Sequence, residues 1–396
     1  MSNVLSGIRV LDFGRYIAGP YCATVLADLG AEVIRIEKID GSEDRYLTPL
    51  TEDQTGDGAL FLQIGQNKQG MTLNPMKPEG REVVQRLVKT ADVVVANLPI
   101  ETLEAMGLDY ESLKAVKEDI ILTHASVFGD EGPYKNRVGF DGLGQAMSGT
   151  MYMSGDKGEP RKLYGPWVDF TTAMMGVVGT MAALKHRDQT GEGQLVGTSL
   201  FGSSVLISSV TLMEQAMLNI NRVGTANRGQ NAGPADTFKT KDGWVLVQSI
   251  GMPLFERWTK LIGEDHWLTD PRFKTDQDRG DNNHILSERM SEWCLERTTK
   301  EAIAKMDAVR LPCGPVMTPQ ETLDDPHLAA MGLLKNVPYP GFEDGVPVTE
   351  LPIKMSKTDT KLKHRAPTLG EHTDQIMDSL GYSAEEITEL KAKRVV

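Results

Sequence analysis

The sequence predicts an α/β protein with a parallel, doubly wound sheet in its first half and a smaller α/β domain after it. In the first half, short segments that are apolar throughout alternate with segments of helical periodicity. Strands without polar alternation are typical of a parallel sheet that helices cover on both faces. The chain has 396 residues, which is more than one hydrophobic core usually holds. We therefore expect two domains.

The apolar segments define four predicted strands and two predicted helices. Pro78 suits the first turn of a helix, and Val83, Leu87 and Val88 follow it at helical spacing. The predicted strands are 8–13, 32–36, 91–97 and 120–126, and the predicted helices are 20–30 and 78–90. Strands and helices that alternate in this way build a parallel sheet.

The middle of the chain changes character. Residues 195–213 carry no charge over 19 residues, which is the length of a membrane span. Nine of them are Gly, Ser or Thr and the run begins like a strand, so we predict a buried strand and helix instead. Residues 221–233 lack any period and are a predicted linker. Residues 237–248 predict a hairpin, because two β-type segments flank a Lys-Asp-Gly turn.

Composition limits the kinds of partner. The chain has 42 Lys and Arg against 55 Asp and Glu, a net charge of −13, which argues against a nucleic-acid partner or an anionic membrane surface. Three scattered cysteines and an N-terminus without a signal-peptide pattern favour a cytoplasmic protein. The seven histidines show no metal-ligand spacing, so we expect no metal site. No Ser lies on a hydrolase-type Gly-x-Ser-x-Gly elbow.

The first strand and helix resemble the start of a dinucleotide-binding domain. The turn between them, residues 14–20, has bulky Arg15, Tyr16 and Ile17 where a pyrophosphate needs close approach to the backbone. A nicotinamide enzyme is therefore disfavoured, although the sheet suits one. The helix start at Gly19 and Pro20 is still suited to a phosphate or a thioester oxygen.

Asp169 lies where an apolar, small-residue stretch begins. A carboxylate at a helix start has its charged form favoured by the helix dipole and is a candidate nucleophile. The alternative is an N-cap, a position that Asp favours. Both roles are compatible, and local sequence alone favours the cap.

Eight short strings in a fixed order cover nearly the whole chain. They are residues 5–13 with 18–20, 29–37, 67–68, 91–93, 190–194, 312–316, 325–328 and 369–373. In these strings the sequence resembles the class III CoA-transferases, the family of formyl-CoA transferase and carnitine CoA-transferase. The resemblance implies a large Rossmann-like CoA-binding domain made of residues 1–220 and 331–396, a small domain of residues 221–330 between them, and an interlocked ring homodimer.

The resemblance also implies covalent catalysis by Asp169. Its carboxylate would attack an acyl-CoA thioester, giving a mixed anhydride and then an aspartyl-CoA thioester that the acceptor acid attacks. Coenzyme A is then a substrate, and no tightly bound cofactor is expected. With a reference pKa of ~3.9 the carboxylate should be ionised at neutral pH and need no base. Oxyanion donors are expected from the turn of Tyr16, Ile17 and Ala18, and from near Gly251.

The family pattern gives a set of expected CoA contacts in the large domain. Lys38 and Arg137 supply charge that a phosphate requires, although either is equally suited to a solvated surface. Where formyl-CoA transferase has an arginine this chain has Ala105, so one phosphate contact is in doubt. The expected contacts are Lys38, Leu73, Met76, Asn97, Leu98, Arg137, Val138 and Phe140.

The acceptor acid is expected to be larger than oxalate. Oxalate-handling members have glutamine where this chain has Ile17, which cannot make the same polar contact. Arg15 and Tyr16 are candidates to bind a distal carboxylate or hydroxyl of a four- to six-carbon acid, although either is also suited to CoA.

Two alternatives share the expected CoA site. An α-methylacyl-CoA racemase needs a second acid–base residue, a histidine in a Gly-His-Asp string in that family, and here the string reads Gly139-Phe140-Asp141. A non-catalytic acyl-CoA binding protein would use Asp169 only as a cap. Phenylalanine cannot move a proton, so transferase is the preferred prediction.

Overall fold

The computed structural model describes residues 3–51 and 56–396, which divide into two compact units. Unit 1 comprises Met1–Ser148, Tyr164–Leu212 and Ala329–Val396, and unit 2 comprises Gly149–Leu163 and Met213–Leu328. Compared with the predicted division at 220 and 330, unit 2 begins earlier in the chain and also takes in the segment before Tyr164. The predicted linker 221–233 lies wholly inside unit 2.

Unit 1 contains a six-stranded parallel sheet with the strand order β3-β2-β1-β4-β5-β6. The strands are β1 Arg9–Asp12, β2 Glu32–Glu37, β3 Lys68–Thr72, β4 Val93–Ala96, β5 Ile121–Ser126 and β6 Leu195–Ser199. The helices before β6 are α1 Ala18–Asp28, α2 Ala59–Ile64, α3 Pro78–Thr90, α4 Ile100–Met106, α5 Tyr110–Val116, α6 Asp141–Met147 and α8 Trp167–Thr190, and α7 Thr150–Met153 belongs to unit 2. The predicted α/β class and parallel sheet are confirmed.

Both faces of the sheet are covered, as the continuous apolar strands require. Along β4, Val94 packs into the core that contains α3 and α5, whereas Val93 and Val95 pack into the core that contains α1 and α8. Helix α8 packs against α1, β5 and β6, and a Cβ at Gly176 would lie 3.1 Å from the Sγ of Cys22. By length and composition α8 is apolar enough to cross a membrane. Its small residues instead serve close packing against α1.

The charge-free run 195–213 forms β6 and the start of α9, Leu200–Leu218. The prediction that this helix is buried is wrong for the chain by itself. Apart from Leu200, Ser203 and Ser204, its residues are not buried. Its exposed apolar side chains are Leu206, Ile207, Val210, Leu212, Met213, Met217 and Leu218. An apolar surface of this extent is typical of an interface.

The last part of the chain returns to unit 1. A hairpin of β10 Leu334–Tyr339 and β11 Phe342–Thr349 is followed by α16 Thr373–Ser379 and α17 Ala384–Ala392. Met377, Leu390 and Val395 join the same core as β1 and α3. These helices therefore complete one side of the sheet.

Unit 2 has its own core and a three-stranded sheet of order β7-β8-β9. The predicted hairpin is confirmed, since β7 Ala235–Lys239 pairs antiparallel with β8 Trp244–Gln248. The other elements are α10 Met252–Ile262, α11 Asp276–Asp281, α12 Asn283–Leu295, α13 Thr299–Ala308, β9 Cys313–Pro315, α14 Pro319–Leu323 and α15 Pro326–Met331, the last of which ends in unit 1. Asn283 of α12 donates to the carbonyl of Gly229 at 2.8 Å, and Arg222 pairs with Glu214 of α9. These bonds fold the predicted linker onto unit 2.

Candidate active site

The strand order reverses between β1 and β4, and the loops that follow these two strands form a crevice at the carboxyl edge of the sheet. Asn97 joins the two loops: its Oδ1 accepts from the Arg15 amide at 2.7 Å and its Nδ2 donates to the Arg15 carbonyl at 2.8 Å. A Cβ at Gly14 would lie 2.5 Å from Cδ of Pro20, so the turn needs glycine there. Ligands of open α/β sheets bind at such a switch point.

A buried charge cluster supports the turn after β1. Arg35 pairs with Asp44 at 2.7 Å and donates to the Gly14 carbonyl at 3.2 Å. Asp44 accepts the Tyr16 amide at 2.8 Å, and Tyr16 has the left-handed φ of 60°. A bulky residue in this conformation costs about 1–3 kcal/mol and persists only where its surroundings fix it. Asp44 is therefore the group that fixes Tyr16.

This geometry changes which amides are available to an oxyanion. The Tyr16 amide is already donated to Asp44, so the prediction that it serves an oxyanion is wrong. Among residues 3–51 and 56–396, the amides of Ile17 and Ala18 have no hydrogen-bond acceptor. They lie at the start of α1, where the helix dipole favours negative charge. These two amides stay the candidate donors.

Asp169 is the third residue of α8, and Pro166 occupies the N-cap position. The N-cap alternative for Asp169 is therefore wrong. The first-turn amides are taken by Asp141 instead: its Oδ2 accepts from Val168 at 2.8 Å and from Asp169 at 3.2 Å. Gln145 donates to the other oxygen of Asp141 at 2.5 Å. Within the described part of the chain, no donor reaches the Asp169 carboxylate.

Burial, together with the neighbouring Asp141 carboxylate, raises the pKa of Asp169 to about 7. The prediction of an ordinary carboxyl pKa is therefore wrong. The helix dipole does not stabilise the charge of Asp169, because the first-turn amides through which it would act already donate to Asp141. A carboxylate that is desolvated and without donors is a stronger nucleophile than a solvated one.

Asp169 opens into a cavity of about 370 Å³ in unit 1. Tyr16 and Phe140 both line this cavity, and their rings meet edge to face with centroids 5.3 Å apart. His124 also lines this cavity; its Nε2 lies 2.9 Å from the Leu98 carbonyl and its Nδ1 3.5 Å from an oxygen of Asp130. A second cavity of about 530 Å³ shares Arg15, Lys38 and Leu98 with the first. The two cavities are therefore neighbours along the switch point.

The predicted CoA contacts divide between the two cavities. Six of the eight line the Asp169 cavity, and Leu73 and Met76 line the second. The side chain of Asn97 is hydrogen-bonded to the backbone of Arg15, and Lys38 is ion-paired with Glu43. The six in the Asp169 cavity are Lys38, Asn97, Leu98, Arg137, Val138 and Phe140.

Of the predicted substrate contacts Arg15 and Ile17, only Arg15 lines the two cavities. Ile17 is buried and does not line either cavity, so its side chain has no direct contact there. Arg15 lines both cavities, and its Nη1 donates to the carbonyls of Phe13, Gly14 and Ile36. Burial and the nearby Arg35 lower the pKa of Arg15. Arg15 is thus anchored at the junction of the two cavities.

Gly251 belongs to unit 2, where it is the N-cap of α10 with φ of 86°. Its amide donates to Asp276 at 2.9 Å. The Gly251 amide is therefore already donated within unit 2, whereas oxyanion donors from elsewhere near Gly251 stay a prediction.

Sequence reasoning missed Asp141 and Asp44. Each controls a functional residue far along the chain: Asp141 acts on Asp169, and Asp44 acts on Tyr16. No local pattern joins these pairs. Cys22 of α1 is buried, and burial and the nearby Asp12 raise the pKa of its thiol to about 12. The described residues contain no cluster suited to a metal ion.

Comparison with known proteins identifies similar chains of the same length. A family model described as CoA-transferase family III matches residues 5–373. A succinyl-CoA–D-citramalate CoA-transferase of Chloroflexus aurantiacus is 31% identical over 99% of this chain and 98% of its own. A succinate–glutarate CoA-transferase of Agrobacterium fabrum is 30% identical over 95% of each chain. The solved structure of a CAIB/BAIF family protein from Brucella suis superposes with a TM-score of 0.83 at 30% identity, covering 96% of this chain and 100% of that one.

We predict that Asp141→Asn lowers the pKa of Asp169. The amide oxygen of Asn keeps an acceptor for the first turn of α8, while the like charge disappears. In the wild type, ionisation of Asp169 disfavours folding progressively as the pH rises from 3.8 to about 7. The variant should therefore lose less stability across that window. Carbon-13 NMR titration of the carboxyl groups and unfolding at several pH values measure both effects.

Asp141→Ala, which also removes the acceptor for the first turn of α8, is the control, and it should lower the free energy of unfolding by about 1 kcal/mol more than Asp141→Asn. If the titration of Asp169 does not move in either variant, the effect assigned to Asp141 is contradicted.

Proposed function

The chain belongs to CoA-transferase family III and is a CoA-transferase, and from this premise we propose that it transfers CoA between carboxylic acids through covalent intermediates on Asp169. The observation that carries the mechanism is the carboxylate of Asp169, half-buried, without donors among the described residues, and facing a cavity at the switch point of the sheet. Carboxylates of this kind attack activated carbonyls.

The proposed reaction begins when an oxygen of Asp169 attacks the thioester carbonyl and the CoA thiolate leaves. The thiolate then attacks the aspartyl carbonyl of the mixed anhydride, which releases the donor acid and leaves an aspartyl-CoA thioester. The acceptor carboxylate attacks this thioester, again expelling the thiolate. Attack of the thiolate on the acceptor carbonyl releases the new acyl-CoA and restores the Asp169 carboxylate. No proton is transferred to or from carbon.

The site supports this sequence in two ways. Desolvation raises the basicity of Asp169 without a separate general base, and a thiolate is a good leaving group. The amides of Ile17 and Ala18 are suited to developing oxyanions, because they lie at a helix start without acceptors among the described residues. Asp169 must still be ionised to attack, so the acid limb of the pH profile should follow its titration.

The residues that line the two cavities support a CoA-binding site that extends over both of them. The thioester must reach Asp169 in the first cavity, so the nucleotide end lies farther away. The second cavity offers apolar Phe13, Leu73, Met76 and Met106 for an adenine ring, and the shared Arg15 and Lys38 lie between. This arrangement matches the switch-point rule for ligands of doubly wound sheets.

We propose a dicarboxylic acid as acceptor. Two of the similar proteins are named for D-citramalate and glutarate, both dicarboxylic acids, with a succinyl or succinate partner. Arg15 is half-buried beside the Asp169 cavity and has donor nitrogens beyond Nη1. An Arg–carboxylate hydrogen bond at such a place contributes about 1.5–3 kcal/mol.

A homodimer, interlocked as in the family resemblance, is also proposed. The exposed apolar residues of α9 support it, because soluble monomers rarely expose such a surface. The net charge of −13 supports the absence of a nucleic-acid partner or an anionic membrane partner, and the three free cysteines support a cytoplasmic protein.

Trapping with hydroxylamine tests the covalent step. Incubation with succinyl-CoA followed by hydroxylamine should leave a hydroxamate on Asp169, because an aspartyl thioester or anhydride reacts with this nucleophile. Peptide mass spectrometry locates the adduct. Asp169→Asn is the control and should lose transfer by at least about a thousandfold while keeping its fold. Transfer at the wild-type rate in that variant would refute the mechanism. A separate experiment in heavy water tests the racemase alternative, which would be favoured if deuterium entered the α-carbon of a 2-methylacyl-CoA as fast as CoA is transferred.

The second prediction tests the acceptor. Wild type should use succinate or glutarate with a kcat/KM about ten- to a hundredfold above that of butyrate or valerate. Arg15→Lys keeps the charge but loses the fork geometry, and Arg15→Ala loses both. If the preference for diacids survives in Arg15→Ala, then Arg15 does not contact the distal carboxylate.

The third prediction concerns assembly. Dilution to nanomolar concentration should leave particles of twice the chain mass by mass photometry, because an interlocked pair cannot separate without unfolding. Leu206→Glu together with Val210→Glu places charge on the exposed face of α9 and should reduce the yield of dimer. Reversible monomers at native conditions would rule out the interlocked form.

A further inference from the structure

The segment after α17 forms part of the wall of the second cavity. Arg394 lines this cavity together with Lys38, Lys77 and Asp40. The segment is held firmly, since Val395 is buried and its carbonyl accepts the Asn74 amide at 2.8 Å. A residue near the end of the chain therefore has a fixed position at the cavity.

The backbone of Arg394 is in an unfavourable conformation for its residue type. Helix α17 ends in a Schellman motif, in which the Arg394 amide donates to the Lys391 carbonyl at 2.8 Å and the Val395 amide to the Leu390 carbonyl at 2.9 Å. The motif places Arg394 at a φ of 52°. Glycine is the usual residue there, and α4, α8 and α10 of this chain end in left-handed glycines, whereas α13, like α17, ends in a left-handed arginine, Arg310, with φ of 56°.

Arg394 combines this conformation with a place in the wall of the second cavity, and local strain tends to accompany function. Among the described residues of unit 1 the guanidinium pairs with Asp40 alone, at 2.7 Å, and both side chains are mostly exposed. Exposed ion pairs of this kind contribute little to stability. The pair does not explain why arginine stands there.

Charge at the second cavity favours an anionic ligand. Arg15, Lys38, Lys77 and Arg394 line it against the single acid Asp40, in a chain whose net charge is −13. Arg15 and Lys38 also line the Asp169 cavity, whereas Lys77 and Arg394 line only the second. Arg394 therefore lies toward the end of the ligand that is farther from Asp169.

We propose that Arg394 binds the 3′-phosphate of the CoA nucleotide, exchanging Asp40 for the phosphate when the substrate enters. The proposal rests on the proposed function for the identity of the ligand. The ribose phosphate is the anionic group farthest from the thioester, and the guanidinium fork suits a phosphate with two parallel hydrogen bonds. Lys77 is less suited, because its ammonium donates to the Lys393 carbonyl.

The experiment compares succinyl-CoA with succinyl-3′-dephospho-CoA as donors in wild type and Arg394→Gly. Wild type should show a KM for the phosphorylated donor about ten- to a hundredfold lower. In Arg394→Gly the KM for succinyl-CoA should rise at least tenfold, the KM for the dephospho donor should rise less than about threefold, and the melting temperature should stay equal or increase because glycine relieves the strain. A merely structural arginine would not produce this selective loss.

Two further measurements close the test. Asp40→Asn removes the competing carboxylate and should lower the KM for succinyl-CoA but not for the dephospho donor. Calorimetric binding of CoA and 3′-dephospho-CoA needs no transfer, so it separates a failure of Arg394 from a failure of the Asp169 mechanism. Equal loss for both ligands in Arg394→Gly, or no loss for either, would overturn the proposal.

Discussion

The active-site architecture depends on the buried ion cluster beneath the turn after β1. Burial would raise the pKa of Asp12, but Lys68 and Arg35 lower it below its usual value, so Asp12 is held as a carboxylate. Its two oxygens accept from Lys68 and from the Gly14 amide, both at 2.8 Å. Such pairs are expensive to desolvate and cost about 3–5 kcal/mol when one partner is removed. A cluster of this kind is weak support for stability and is better explained as a device that fixes one geometry.

That geometry reaches the reacting groups through short paths. Arg35 is shared between Asp12 and Asp44, and Asp44 fixes the Tyr16 amide. A fixed Tyr16 presents the following amides of Ile17 and Ala18 at the start of α1 and brings its ring against Phe140. The cluster thereby sets the positions of the two amides that are proposed as oxyanion donors. Its members are therefore positioning residues.

Much of the fold was predictable because its signals are local. The period of 3.6 in residues 78–90 and the continuous apolar strand around Val94 need no distant partner to be recognised. Asp169 was found through the resemblance, yet its environment was predicted wrongly, since Asp141 lies 28 residues away in sequence. The predicted burial of α9 was also wrong, because an apolar pattern does not distinguish a helix that its own chain buries from one that its own chain leaves exposed.

Asp141, the first residue of α6, and Asp169, in the first turn of α8, compete for the amides at the start of α8. A helix N-terminus stabilises one negative charge, and here Asp141 takes the amides while Asp169 remains without them. A similar competition occurs at the two cavities, where Lys38 is paired with Glu43 and Arg394 with Asp40. Because these exposed pairs are weak, the phosphates of the proposed CoA ligand would displace the carboxylates at small cost. If CoA binds as proposed, an acidic protein keeps a cationic site without attracting every anion, since only a ligand with several phosphates in the right places displaces all the carboxylates together.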